Sequence, residues 1–183
     1  DLQEGVSAEA SSLAGTQRLG NLTLIYDQNR ISIEDDTNIA LSEDTPLRYE
    51  AYGWHVQTID WTNDETAYVE NVRALDEALQ VARGVTDRPS FIALRTIIAW
   101  PAPDAQGTGK AHGSALGADE VAATKKVLGF DPDKSFQVDD AVIAHTRELQ
   151  QRGQAAQDEW EKSFATWAEA NPEGKALYDR FVA

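Results

Sequence analysis

The stretch that decides the fold is LTLIYDQNRISI, at residues 22–33. Residues 22–26 form a short, nearly continuous apolar run, which is typical of a strand buried on both faces of a parallel sheet. Polar turn formers follow at residues 27–30 and end this strand. Residues 31–33 are then predicted to be briefly extended. The sequence therefore predicts an early strand that leads directly into a polar turn.

Two further strand patterns follow at residues 54–60 and 91–94. Between the second and third strands, apolar residues at helical spacing predict a helix over residues 65–83. A shorter helix, capped by Ser42 and ending near Tyr52, is predicted between the first two strands. Strands that alternate with helices over short connections indicate an α/β fold with a doubly wound parallel sheet.

The two ends of the chain are predicted to be helical. Residues 4–19 are rich in small side chains, which suit a helix packed closely against other elements. Residues 139–170 form one long polar helical stretch, and a further helical pattern follows it. We therefore divide the chain into residues 1–135, which contain the sheet, and residues 136–183, a helical extension or linker.

The composition disfavours several classes of protein. The net charge is −15, from 31 acidic and 16 basic residues, which disfavours binding to nucleic acid because nucleic acid is also an anion. No apolar run approaches the ~20 residues that a membrane helix needs. Cysteine is absent, so disulfides and thiolate metal sites are excluded, which fits a cytoplasmic enzyme. Methionine is absent too, so we expect an internal piece of a longer protein.

Ligands of doubly wound sheets bind beyond the carboxyl ends of the strands, which selects residues 27–37 and 96–117 as candidate binding segments. In the first segment, the side chain of Asn29 and the backbone carbonyl of Ile31 offer oxygen atoms two residues apart. Oxygen ligands suit a hard cation such as Mg²⁺, which usually shares its coordination with phosphates. From these residues alone, a simple polar turn after a strand is the alternative interpretation.

The second segment contains TGKAHG at residues 108–113. The imidazole of His112, next to a glycine, can approach a phosphate closely and donate a hydrogen bond to it. A histidine in an ordinary surface loop is the alternative. The phosphate-binding P-loop pattern is absent, because no serine or threonine follows Lys110. Of the other two histidines, His55 is expected to be structural and His145 to face solvent.

Several motifs, taken together and in this order, resemble the part of the transketolase family that follows its Gly-Asp-Gly thiamine diphosphate motif. The matching motifs are DLQEG at residues 1–5, EASSLAG at 9–15, LGNL at 19–22, YDQNRISI at 26–33, ED at 43–44, RY at 48–49, AYGW at 51–54 and HG at 112–113. The variant IIAWP at residues 97–101 is similar to the actinobacterial branch. The chain is identified as an internal fragment of such a protein, covering the C-terminal part of its diphosphate-binding domain.

The resemblance implies thiamine diphosphate and Mg²⁺, or Ca²⁺ in its place, as cofactors. It implies that Asn29 binds the metal through its side chain and touches the diphosphate, and that Ile31 binds the metal through its carbonyl oxygen. His112 would lie at the diphosphate and face the substrate, so it would be both cofactor-binding and catalytic. Ile33 and Ile98 would contact the cofactor as apolar walls.

The resemblance also implies a function: transfer of a two-carbon ketol unit from a ketose phosphate to an aldose phosphate in the pentose phosphate pathway. The parent would be a cytoplasmic homodimer, with Glu4 and Glu9 along the path between its two cofactors. We expect residues 1–183 alone to be inactive. Two alternatives stay open, namely a related enzyme such as dihydroxyacetone synthase and a non-catalytic acidic interaction module. Ala99 and Pro101, where many relatives have glycines, predict a stiffer or rerouted loop.

Overall fold

The computed structural model describes residues 2–33 and 35–182, so the predictions for Asp1 and Glu34 lie outside the described part. The chain divides into two compact units, Asp1–Asp133 and Lys134–Ala183. Each unit is described by itself below. The division at residue 135 into a binding domain and a linker stays a prediction, because compactness does not assign a role to either unit.

Three parallel strands form the centre of the first unit. They are β1 (Thr23–Gln28), β2 (His55–Asp60) and β3 (Ser90–Arg95), in the spatial order β1-β3-β2. Both outer strands run parallel to β3. The parallel sheet that the sequence predicts is therefore confirmed, with the third strand in the middle.

Burial differs between the strands in a way that the apolar pattern did not predict. All but the last residue of β3 are buried, as expected for a strand with both faces covered. The residues of β1 instead alternate between exposed and half-buried, and Ile25 is 43% exposed. The predicted burial of the first strand on both faces is therefore wrong for this chain, because the described residues cover only one face of β1, and that only partly.

Helices flank the sheet. They are α1 (Gly5–Thr16), α2 (Thr45–Ala51), α3 (Val72–Gly84) and α4 (Ala118–Val127), with short 3-10 turns at Thr37–Ile39 and Gly109–His112. The cap of α2 is Asp44, whose carboxylate accepts a hydrogen bond from the amide of Leu47 at 3.1 Å. The predicted cap at Ser42 is therefore wrong, because a carboxylate directly before the first turn satisfies the free amide there.

Helix α3 begins at Val72, later than the predicted start at residue 65. The helix does not start at residue 65 because Asn63, Asp64 and Glu65 have φ angles of 49°, 53° and 63°. A right-handed helix cannot pass through this left-handed region. Asn71 then caps the helix through the amide of Ala74 at 3.0 Å.

The core of the first unit is centred on Tyr49 of α2, which is 1% exposed. Its ring stacks on Phe91 of β3 at a centroid distance of 3.8 Å and meets the edge of Trp54 at 5.1 Å. Its hydroxyl lies 3.0 Å from the hydroxyl of Ser11 on α1. The indole of Trp54 donates to the carbonyl of Ser11 at 2.8 Å. One aromatic cluster thus joins α1, α2 and the central strand.

Helix α1 packs so closely against the backbone of Tyr52 that a methyl group added at Gly15 should destabilise the protein. A Cβ at Gly15 would lie 1.9 Å from the carbonyl oxygen of Tyr52. We expect Gly15→Ala to lower the free energy of unfolding by about 1–3 kcal/mol through overpacking. Gly5→Ala, in the same helix but with no atom within 4 Å of the new methyl, should be neutral or slightly stabilising. Equal thermal midpoints for the two variants would contradict this packing.

The second unit consists of two helices, α5 (Asp140–Ala170) and α6 (Pro172–Val182). Phe164 of α5 lies 4.9 Å from the ring of Trp160 and 4.9 Å from the ring of Tyr178 on α6. These aromatic contacts hold the pair of helices together. Across the described part of the chain, no helix combines the length and the apolar character that a bilayer span needs.

Candidate functional site

The carboxyl ends of the three strands meet at one edge of the sheet, and a cavity of about 420 Å³ opens there. Asn29, Ile31 and Ser32 line it from the loop that follows β1. Residues 29–37 are called the β1 loop below. His112 lines the same cavity from the segment that follows β3. The structure thus brings three of the sequence-predicted site residues, Asn29, Ile31 and His112, to one cavity.

The side chain of Asn29 is half-buried and held at both ends. Its amide nitrogen donates to Oδ2 of Asp27 at 3.2 Å, and its Oδ1 accepts from the amide of Ile31 at 2.9 Å. Arg30, between them, has a φ of 62°, which turns the backbone sharply. The amide oxygen and the backbone of Ile31 are therefore presented on the same side of a tight turn.

A short antiparallel bridge between Ile31 and Asp36 closes the β1 loop. The carbonyl of Arg30 accepts from the amide of Thr37 at 2.9 Å. Within residues 2–33 and 35–182, no donor reaches the carbonyl of Ile31. As far as residues 2–33 and 35–182 are concerned, that oxygen can therefore accept from or coordinate a ligand.

Asp27 stabilises the β1 loop through hydrogen bonds of both its carboxylate oxygens. Its Oδ1 accepts a hydrogen bond from the hydroxyl of Thr96, a buried residue directly after β3. Since its other oxygen holds Asn29, Asp27 links the β1 loop to the central strand. No sequence pattern discussed above selected Thr96. Its position at the carboxyl end of a buried strand could have identified it as a candidate site residue.

His112 ends the 3-10 turn Gly109–His112 and is exposed. Besides the first cavity it lines a second, of about 430 Å³, together with Ile33, Lys110 and Gly113. The predicted apolar wall at Ile33 and the predicted catalytic histidine therefore share one cavity. Ile33 is 69% exposed, so its side chain is free to contact a bound molecule.

Ile98 is the one predicted site residue that lines neither cavity. It lies half-buried in the turn after β3, where its carbonyl accepts from the amide of Gly107 at 3.0 Å. The next residue, Ala99, has a φ of 56°, a conformation that favours glycine. Alanine at this position is therefore held in a left-handed turn, and the stiffer or rerouted loop stays a prediction.

The remaining acidic and histidine residues of interest lie elsewhere. Glu4 and Glu9 are exposed at the start of α1. His55 of β2 has its Nδ1 3.4 Å from the hydroxyl of Ser90, which fits a structural role. His145 is exposed on α5 with its Nδ1 3.7 Å from a carboxylate oxygen of Glu148.

The donor atoms at the cavity fit a magnesium ion that is shared with a phosphate ligand. Among the described residues, no group of three or more His, Cys, Asp and Glu side chains could enclose a metal by itself. The available donors are instead the amide oxygen of Asn29 and the carbonyl oxygen of Ile31, and both are hard oxygen ligands. Mg²⁺ is commonly held by few protein oxygens and completes its octahedron with water and phosphate.

Burial and charge also shape the acidity of the neighbouring groups. Burial raises the pKa of Tyr26, which lines the first cavity, and the positive charge of Arg48 partly opposes this shift. At the end of β2, burial acts to raise the pKa of Asp60, but hydrogen bonds from Thr62 and Asp64 and the charge of Arg95 outweigh it and lower the pKa. Asp60 is therefore a stable anion at neutral pH.

Both the family model and the individual relatives that match this chain are transketolases. The family model described as "Transketolase, thiamine diphosphate binding domain" matches residues 1–183. A transketolase of Mycobacterium tuberculosis (strain H37Rv) is 59% identical over 183 residues, which are 100% of this chain and 25% of the relative. Transketolase 2 of Saccharomyces cerevisiae is 42% identical over 181 residues, covering 98% of this chain and 26% of the relative.

Solved structures agree with the sequence comparison. Transketolase from Leishmania mexicana aligns with a TM-score of 0.84 at 36% identity, covering 93% of this chain and 24% of that one. A Pichia stipitis transketolase in complex with sedoheptulose-7-phosphate aligns with a TM-score of 0.82 at 39% identity, covering 94% and 24%. The chain therefore spans about a quarter of the length of the relatives that it matches.

Proposed function

This chain belongs to the transketolase family, and from that premise we propose that it provides part of the thiamine diphosphate and magnesium site of a transketolase. The whole enzyme transfers a two-carbon ketol unit from a ketose phosphate to an aldose phosphate. The observation that carries this proposal is the cavity at the carboxyl edge of the sheet, where Asn29, Ile31 and His112 meet. It lies where ligands of doubly wound sheets bind.

Asn29 and Ile31 hold the metal in this proposal, the first through Oδ1 and the second through its carbonyl oxygen. Asp27 keeps the amide of Asn29 in place through its hydrogen bond of 3.2 Å. The metal neutralises the diphosphate charge, which matters in a chain with a net charge of −15. Ca²⁺ also takes oxygen ligands and can replace Mg²⁺ here, because it tolerates a looser geometry.

When bound, thiamine diphosphate supplies the electron sink that protein side chains lack. The residues of this chain bind and orient the reactants. His112 donates hydrogen bonds to the diphosphate and to the donor sugar from its exposed turn. Ile33, which lines a cavity together with His112, excludes water as an apolar wall. Ile98, in the segment that carries His112, is proposed to contact the cofactor although it lines neither cavity.

The partners that follow from this proposal are sugar phosphates and a second copy of the full-length protein. The Pichia stipitis enzyme is described in complex with sedoheptulose-7-phosphate and, as variants, with xylulose-5-phosphate. Helix α1 exposes Val6 by 70% and Leu13 by 60%, next to Glu9, which fits burial in a dimer interface. We place the enzyme in the cytoplasm and in the pentose phosphate pathway.

Calorimetry of the full-length protein with thiamine diphosphate and Mg²⁺, followed by an assay with xylulose 5-phosphate, tests the proposed function. Heat of binding together with ketol transfer is the expected result. The absence of binding heat would contradict the proposal and favour a non-catalytic module. Residues 1–183 alone are expected to show no turnover of xylulose 5-phosphate.

The metal role of Asn29 has its own test. We expect Asn29→Ala to weaken magnesium-dependent cofactor binding by about 1–3 kcal/mol, the effect of leaving a binding partner unsatisfied. Asn38→Ala is a matched control, because Asn38 directly follows the β1 loop, in the 3-10 turn Thr37–Ile39, and is exposed. Titration calorimetry at fixed Mg²⁺ measures both variants. An unchanged titration for Asn29→Ala would remove this residue from the metal site.

A further inference from the structure

The loop that follows β2, residues 61–71, contains an unusual turn that no proposed ligand explains. Asn63, Asp64 and Glu65 all have positive φ angles, of 49°, 53° and 63°. Asn and Asp tolerate this region, but for a glutamate it costs roughly 1–2 kcal/mol. The carboxylate of Asp60 stabilises the turn by accepting from the amides of Thr62 at 2.7 Å and Asp64 at 3.1 Å.

The turn directs the carboxylate of Glu65 to two arginines. Its Oε1 lies 2.8 Å from Nη2 of Arg95, at the end of the central strand, and 3.4 Å from Nη1 of Arg30, in the β1 loop. Arg95 in turn donates from Nη1 to the carbonyl of Gln28 at 3.0 Å. Gln28 and Arg30 are the two chain neighbours of Asn29. The network from Glu65 therefore contacts both sides of the proposed metal ligand.

Burial indicates which of these pairs matters most. The side chain of Arg95 is 14% exposed, whereas those of Glu65 and Arg30 are 58% and 51% exposed. Exposed ion pairs contribute little, but a guanidinium that is largely removed from water depends on its partner. Glu65 is the carboxylate that pairs with Arg95 among the described residues. Its loss would leave the mostly buried guanidinium without its hydrogen-bonded ion-pair partner, so that Asp60, whose pKa the charge of Arg95 lowers, would be the nearby anion that remains.

A second contact fixes the loop at the same edge of the sheet. The ring of Tyr68 lies 6.4 Å from that of Trp61 and 4.6 Å from that of Trp100, which follows β3. The amide of Val69 donates to the carbonyl of Trp61 at 2.7 Å and closes the loop. Two kinds of contact therefore hold the loop of Glu65 near the end of β3: the aromatic contact of Tyr68 with Trp100 and the ion pair of Glu65 with Arg95.

We propose that Glu65 is a positioning residue, which holds the backbone on both sides of Asn29 through Arg95 and Arg30 so that the Asn29 amide is preorganised for the metal. This inference rests on the proposed function, because it takes Asn29 as a magnesium ligand. Glu65 itself touches neither metal nor substrate. It acts by restricting the β1 loop before any ligand binds.

Glu65→Gln in the full-length protein tests the inference, since it keeps the shape of the side chain and removes its charge. The probe is Mg²⁺, titrated at saturating thiamine diphosphate. We expect the apparent affinity for Mg²⁺ to fall roughly fivefold, the upper end of what an ion pair with an exposed partner supplies. Glu77→Gln is the matched control, because Glu77 pairs with Arg73 at 2.9 Å on an exposed face of α3, and its magnesium titration should match the wild type.

Hydrogen exchange of the ligand-free protein provides a readout that does not depend on activity. The amides of Ile31 and Thr37, which donate within the β1 loop, should exchange faster in Glu65→Gln but not in Glu77→Gln. Faster exchange with weaker magnesium binding supports the inference. Unchanged magnesium affinity in Glu65→Gln overturns it, whether or not exchange changes. A wild-type protein that binds no cofactor overturns the proposed function, and the positioning role of Glu65 with it.

Discussion

Replacing His112 with alanine in the full-length enzyme is expected to lower turnover about 100-fold or more, while cofactor binding weakens by less than about tenfold. His112 ends a 3-10 turn and faces both cavities of the candidate site. His112 is exposed, so its imidazole is accessible to the reactants. A donor that acts mainly on charge developing during the reaction affects turnover more than ground-state binding.

Steady-state rates with xylulose 5-phosphate and calorimetric titration of the cofactor separate the two effects. His145→Ala is the control, because His145 is exposed on α5 and contacts Glu148 at 3.7 Å. It should change neither quantity. If His112→Ala instead loses cofactor binding and keeps its rate at saturating cofactor, His112 is only an anchor for the diphosphate.

The second large effect is expected in the core. Tyr49→Ala should lower the free energy of unfolding by about 3–5 kcal/mol, as do other truncations of large buried aromatic residues. Tyr49 is 1% exposed, and its ring stacks on Phe91 at 3.8 Å and contacts the edge of Trp54 at 5.1 Å. Truncation would therefore leave a cavity between α2 and the central strand.

Tyr49→Phe separates packing from hydrogen bonding at the same position. It keeps the ring and removes only the hydroxyl, which lies 3.0 Å from that of Ser11. We expect a cost of about 1 kcal/mol, the net value of one hydrogen bond. Chemical denaturation of both variants gives the comparison. Similar losses for Tyr49→Ala and Tyr49→Phe would show that the polar contact, and not the stacked ring, dominates the stability of this cluster.

Local sequence patterns predicted the elements of the fold well where burial or composition was strong. The apolar run at residues 91–94 lies within β3, and the polar helical stretch at residues 139–170 became α5. The run at residues 22–26 also became a strand, although its burial was predicted wrongly, because an apolar run does not show whether other elements cover both faces of the strand. Periodicity extended α3 too far towards its N-terminus, because it does not detect a left-handed turn.

Membership of the family could also be inferred from the sequence, since the order of short motifs in the first 113 residues was specific as a set. The same motifs predicted Asn29, Ile31 and His112 as site residues, and the structure places these three at one cavity. Their roles stay predictions. Ile98, predicted from the same resemblance, does not line that cavity.

The sequence by itself determined which residue types stand at the ends of the strands: amide, carboxylate and backbone oxygens after the first, a histidine between small residues after the third. Only the tertiary structure decided which of them meet. The hydrogen bond from Thr96 to Asp27 and the ion pairs of Glu65 with Arg30 and Arg95 join residues far apart in the chain. They exist because β3 lies between β1 and β2. The order of the strands depends on which strands pack side by side in the whole sheet, and a pattern read along a single strand does not encode it.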